Sequence, residues 1–123
     1  MGYPDIDRAR EGQSALRRIV DAYAGQGGDP RALRRVVDVC RELAEAVDDD
    51  YCRAKVRAVA EFAAELLSWG EPRARGALSG GEFLRQQIRT ALELLESRLY
   101  SLEQRRRAGQ LGRPLFAEHA LKR

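Results

Sequence analysis

Few side chains in this sequence are of types that do chemistry: two cysteines (Cys40, Cys52), one histidine (His119) and the carboxylate run Asp48-Asp49-Asp50. If the chain turns at Asp48–Asp50 between two helices, Cys40 and Cys52 are separated by roughly 9 Å along the helix axis. A disulfide does not tolerate that. No CxxC and no Cys/His cluster accompanies them, so zinc is not indicated and the pair reads as two reduced, packed thiols. The aspartates lack further oxygen ligands at calcium-loop spacing and read as a turn and a helix cap. A single histidine so far toward the C-terminus supports no Ser/His/Asp or Cys/His arrangement. Neither catalysis, a metal nor a cofactor is expected.

The elements that would position these residues read as helices throughout. Apolar residues make up 44% of the 123 positions and charged residues 33%, which suits one folded domain with a heavily charged surface. Helix 1 is expected over about 5–24, capped by Asp5, with Ile6, Ala9, Leu16, Ile19, Val20 and Tyr23 on one face and Gly12 and Gln13 weakening its middle. Gly25 to Gly28 breaks it. Helix 2, about 30–47, starts on Asp29 with Pro30 at the first helical position. Its stripe is Leu33, Val36, Val37, Cys40, Leu43, Ala44 and Val47, and Arg34–Asp38 and Arg41–Glu45 lie four apart. Helix 3, about 50–69, is apolar around most of its circumference (Tyr51, Cys52, Val56, Val59, Phe62, Ala63, Leu66, Leu67) and is expected to be central, stopping at Trp69-Gly70. A glycine-rich linker spans 70–81. Helix 4, about 82–108, carries Leu84, Ile88, Ala91, Leu92, Leu95, Leu99 and Leu102 at spacings of three and four, the seam of a bundle helix. Gly109 is expected to end it, and Leu115 to Leu121 to form one last short helix.

The fold expected is therefore all-α: a four-helix bundle over 1–109 with one long C-terminal helix, and a basic extension over 110–123. No apolar run approaches the roughly 18 residues of a membrane helix, the N-terminus Met1-Gly2-Tyr3-Pro4-Asp5 has no signal-peptide character, and Ile6 stands where a myristoylation signal has Ser or Thr. A cytoplasmic location and no membrane partner are expected.

Three stretches resemble parts of known families. Leu78-Ser79-Gly80-Gly81-Glu82 resembles the signature loop of ABC-type ATPases, which presents backbone N–H groups to a phosphate; no GxxxxGK[ST] loop accompanies it. Arg113 and His119, spaced R-x5-H, resemble the Arg/His motif of HEPN ribonucleases, which are also helical bundles. That resemblance implies cleavage of RNA across a dimer interface by those two residues. His119-Ala120-Leu121-Lys122 is similar to the phosphoacceptor stretch of histidine phosphotransfer domains. A helix-turn-helix with Arg53, Lys55 and Arg57 near the start of its second helix is a further alternative, but that helix is strongly apolar and three aspartates would face the polyanion.

Charge separates more clearly than motif. Residues 1–97 carry 15 basic and 17 acidic groups, whereas 98–123 carry seven basic and two acidic. Arginine outnumbers lysine 20 to 2, so arginine abundance alone says nothing of recognition; its concentration at one end does. Arg98, Arg105, Arg106, Arg107, Arg113, Lys122 and Arg123 are the expected contacts for an acidic partner. The function expected is a non-catalytic helical adaptor or accessory subunit acting through protein contacts, with self-association through the long helix open to it. The alternative is a nucleic-acid-binding small subunit of a ribonucleoprotein or defence complex. A HEPN-like ribonuclease stands third.

Overall fold

The structure, a computed structural model, describes residues 5–23, 28–68 and 80–110. They form four helices: α1 (Ile6–Ala22), α2 (Pro30–Ala46), α3 (Asp50–Ser68) and α4 (Gly80–Gln110). Each helix packs on its neighbours in a ring, α1 on α2, α2 on α3, α3 on α4 and α4 back on α1. The α3–α4 packing is the most extensive and α2–α3 the next, so α3, the most apolar helix, is also the most engaged one. No described helix is long and apolar enough to cross a membrane.

The caps are those the side-chain chemistry requires. Asp5 accepts from the Arg8 N–H at 3.1 Å and Asp29 from the Ala32 N–H at 3.1 Å, each satisfying an amide that a first helical turn leaves unpaired. Backbone bonds tie the ends together: the Asp5 N–H donates to the Ala46 carbonyl at 2.8 Å and the Asp29 N–H to the Leu67 carbonyl at 2.7 Å. Gly28 belongs to the second of these junctions, since a Cβ there would stand 3.0 Å from the Ser68 carbonyl oxygen.

The seam of α4 is buried as its spacing predicts: Leu84, Ile88, Leu92, Leu95 and Leu99 all lie in the core. Several sequence expectations differ in detail. Val37 does not join the α2 stripe and is 44% exposed. It lies 100° around the helix from Val36, on the side of α2 that carries Pro30, Arg34 and Arg41 and lines an open surface depression. Tyr51 is likewise exposed. Helix α4 begins two residues earlier than expected and runs through Gly109 to Gln110; a glycine costs a helix only about 1 kcal/mol, and nothing at this exposed position demands a turn. Gln13 strengthens α1 where it was expected to weaken it: its side chain lies on the buried face and donates to the Leu92 carbonyl and to Glu96, both at 3.3 Å. Gly12 allows the close approach of α1 to α2, since a Cβ there would meet Leu43 at 3.3 Å. The break at 24–27, the Trp69-Gly70 stop, the 70–79 part of the linker and the expected helix at 115–121 lie outside the described residues.

Candidate functional site

Helix α4 is antiparallel to both neighbours, and its side-chain pairs fix the register. Near its start, Arg85 donates to the Tyr23 carbonyl at 2.6 Å with its guanidinium over the Tyr23 ring, and Arg89 meets Asp21 at 3.0 Å. Farther on, Arg98 meets Asp49, the residue just before α3. The part of α4 beyond Arg98 therefore outruns α3 by about 18 Å, or three turns. Among the described residues α1 accompanies it, through an Arg10–Glu103 ion pair of 2.8 Å.

The sequence-predicted contacts divide sharply along this segment. Arg98 is occupied: it donates twice to the Asp49 carboxylate, at 2.8 and 3.1 Å, and its guanidinium lies over the Tyr51 ring. Arg105 is exposed and has no ionic partner among the described residues. Arg106 is half-buried, and its Nε is enclosed without a hydrogen-bond partner. Arg107 is exposed and reaches back to Glu103 at 3.4 Å. Arg113, Lys122 and Arg123 lie outside the described residues, as do His119 and Leu78-Ser79. Arg10 joins this end of the bundle, and the sequence alone did not reveal it. Its only signal is a position one residue after core Ala9, and the antiparallel register is what brings it to Glu103. Tyr100, 59% exposed, adds a large aromatic surface to the same projecting turns.

The acidic turn is fully engaged. The Asp49 carboxylate accepts from the Cys52 N–H at 3.0 Å, which makes Asp49 the cap of α3 as well as the partner of Arg98. The Arg98 guanidinium holds the Asp49 carboxyl well below the usual carboxylate range, the Cys52 N–H adding to this against the opposing pull of burial. Asp48 and Asp50 both bind Arg53, an exposed arrangement that neutralises the start of α3. Lys55 lies over Tyr51. Two of the three cations of the helix-turn-helix alternative are thus already engaged. Among the described residues no group of His, Cys, Asp and Glu is arranged to hold a metal ion.

Cys40 and Cys52 are buried free thiols. Burial pushes Cys40 up to about 12, and burial together with the neighbouring Asp49 carboxylate does the same for Cys52. A nucleophilic cysteine needs the opposite shift. Both thiols are expected to react with Ellman's reagent at pH 8 only as fast as the chain opens, with labelling accelerating through the urea transition. Rapid labelling of either one in the folded protein would contradict this placement. Because the folded values are raised, the associated stability is complete below the ordinary thiol range and declines as pH rises from there toward 12.

No protein family, no characterised protein and no solved structure matches this chain.

Proposed function

We propose that this chain is a non-catalytic helical adaptor or accessory subunit that presents the projecting end of α4 to an acidic protein partner. The observation that carries the reading is the three-turn overhang of α4 past α3, which leaves Arg105, Arg107 and Tyr100 exposed on a helix that, among the described residues, packs on α1 alone. Interfaces are enriched in such aromatic and arginine anchors. An arginine can meet a carboxylate with two parallel hydrogen bonds, and the tyrosine supplies apolar contact area beside it.

A protein partner is favoured over nucleic acid by the small number of free charges. The described overhang offers three consecutive arginines, one of them turned toward Glu103, so few phosphates would be contacted and affinity at physiological salt would be low. Both thiols are held protonated, and the most strongly shifted carboxylate, Asp49, is committed to a cap and an ion pair. These placements favour binding over catalysis.

The test uses the full chain and two labelled probes, an acidic peptide containing an aromatic residue and a single-stranded RNA of equal charge. The peptide is expected to bind the wild type, and Arg105→Glu with Arg107→Glu is expected to weaken it at least tenfold. Tyr100→Ala should weaken it several-fold without altering the far-UV spectrum. Tighter binding of the RNA, with a steep salt dependence lost in the double variant, would transfer the site to the nucleic-acid reading.

A further inference from the structure

Helix α2 lies diagonally across the ring from α4, and its outer face is charged in the wrong direction for its own dipole. A helix favours carboxylates in its first turns and cations in its last. Behind its Asp29 cap, α2 has no acidic residue in its first turn and no basic residue in its last. Its first half instead exposes Arg31, Arg34 and Arg35, none with an ionic partner among the described residues, and its second half exposes Glu42 and Glu45, with an Asp38–Arg41 pair between the two groups. Internal pairing does not compensate. Of the two i,i+4 pairs the sequence offers, neither is made: Arg41 turns to Asp38 at 3.5 Å, and Glu45 reaches Arg8 of α1 only at 3.8 Å.

The same face is self-complementary when reversed. We propose that α2 is the contact surface of a two-fold symmetric homodimer, in which the α2 helices of two copies pack antiparallel about an axis near Val37 and Asp38. Residues equidistant from that axis then face each other across it, so that Arg31 of each copy opposes Glu45 of the other and Arg34 opposes Glu42, while Asp38, on the axis, meets its own copy and is offset by Arg41 at 3.5 Å in the same helix. Arg31, Arg34, Glu42 and Glu45, each placed unfavourably in its own helix, thus gain an opposite charge and the antiparallel dipole of the neighbour. The two-fold relation also brings the exposed edges of both helices to the same side. There Val37, with Pro30 and Leu33, lines a shallow depression walled by the stems of Arg34 and Arg41. An isologous contact needs a patch that complements itself, and on α2, unlike α3, the first-turn cations are not neutralised by acidic neighbours. The surface is distinct from the α4 overhang, so a dimer would present two copies of that overhang.

Sedimentation velocity on the full chain tests the proposal. Wild type is expected to dimerise, with association weakening as salt is raised. Arg31→Glu with Arg34→Glu in one variant, and Glu42→Arg with Glu45→Arg in another, should each be monomeric. Both sets of changes restore the charge order α2 prefers, so each monomer is expected to melt no lower than wild type, and loss of the dimer cannot then be assigned to misfolding. Mixed in equal amounts, the two variants should form a heterodimer. Val37→Glu, beside the axis and present once in each copy, should raise the dissociation constant at least tenfold. A wild type that is monomeric up to millimolar concentration overturns the proposal, as does a dimer indifferent to both charge reversals or one not restored by mixing. Binding of a polyglutamate peptide or a single-stranded RNA to a monomeric wild type, lost in Arg31→Glu with Arg34→Glu, would instead assign the face to a foreign partner.

Discussion

Asp49→Ala is expected to lower the free energy of unfolding by about 2–3 kcal/mol, because one carboxylate holds two parts of the bundle together. Loss of an aspartate cap costs ~1 kcal/mol. Leaving the Arg98 guanidinium half-buried without its charge-assisted partner costs a further ~1.5–3 kcal/mol, reduced here by the solvent that still reaches it. Arg98→Ala should cost less, about 1–2 kcal/mol, since the cap to the Cys52 N–H at 3.0 Å survives it. A double-mutant cycle in urea should return a coupling of roughly 1 kcal/mol between the two. The pH dependence follows from the direction of the shift. Arg98 lowers the folded-state value of Asp49, so the unfolded chain takes up its proton first as pH falls. The stabilisation is complete above the ordinary carboxylate range and is lost on acidification below about pH 4. Asp49→Asn should therefore be less stable than wild type at pH 7 and should lose less on going to pH 3. Equal urea midpoints for Asp49→Ala and wild type at pH 7 would refute the assignment.

The pair also shows where the sequence stops being informative. The seam Leu84, Ile88, Leu92, Leu95 and Leu99 is legible because burial along a helix depends only on its own period. The Asp29–Pro30 start is legible because capping is local. Whether Asp48, Asp49 or Asp50 would cap α3 was not, since three adjacent carboxylates satisfy the same rule and the choice falls to the one that can also reach Arg98 of α4. From the sequence Arg98 therefore reads as a contact for a partner, whereas its guanidinium binds Asp49 inside the bundle. Gln13 and Glu103 were equally opaque. A buried polar side chain is decided by its partner across the interface, and the partners, Leu92 and Glu96 for one and Arg10 for the other, are 79, 83 and 93 positions distant in sequence. Val37 failed for the opposite reason: two adjacent valines both match a helical stripe, and the ring of four helices buries only one.

Leu95→Ala is expected to be among the most damaging single changes, costing about 3–4 kcal/mol through lost apolar burial and a cavity left in the packed ring. The side chain is fully enclosed, in the stretch of α4 that still has α3 beside it. Leu102 occupies the next heptad position of the same seam, yet it lies past Arg98 and is only half-buried. Leu102→Ala should therefore cost no more than about 1.5 kcal/mol. The contrast measures the overhang itself. If α4 beyond Arg98 were embedded like the rest of the helix, the two substitutions would have similar effects on the urea midpoint. If the last turns are held from one side, amide exchange should be slow at Ile88 through Leu95 and markedly faster from Leu102 to Arg107. That gradient is what the proposed function needs. A segment that contributes less to the bundle than the embedded turns is free to be shaped by what it binds, so Arg105→Glu should alter partner affinity while leaving cooperative unfolding unchanged, whereas Arg107→Glu, which sets a second carboxylate four residues from Glu103, should also cost about 0.5 kcal/mol.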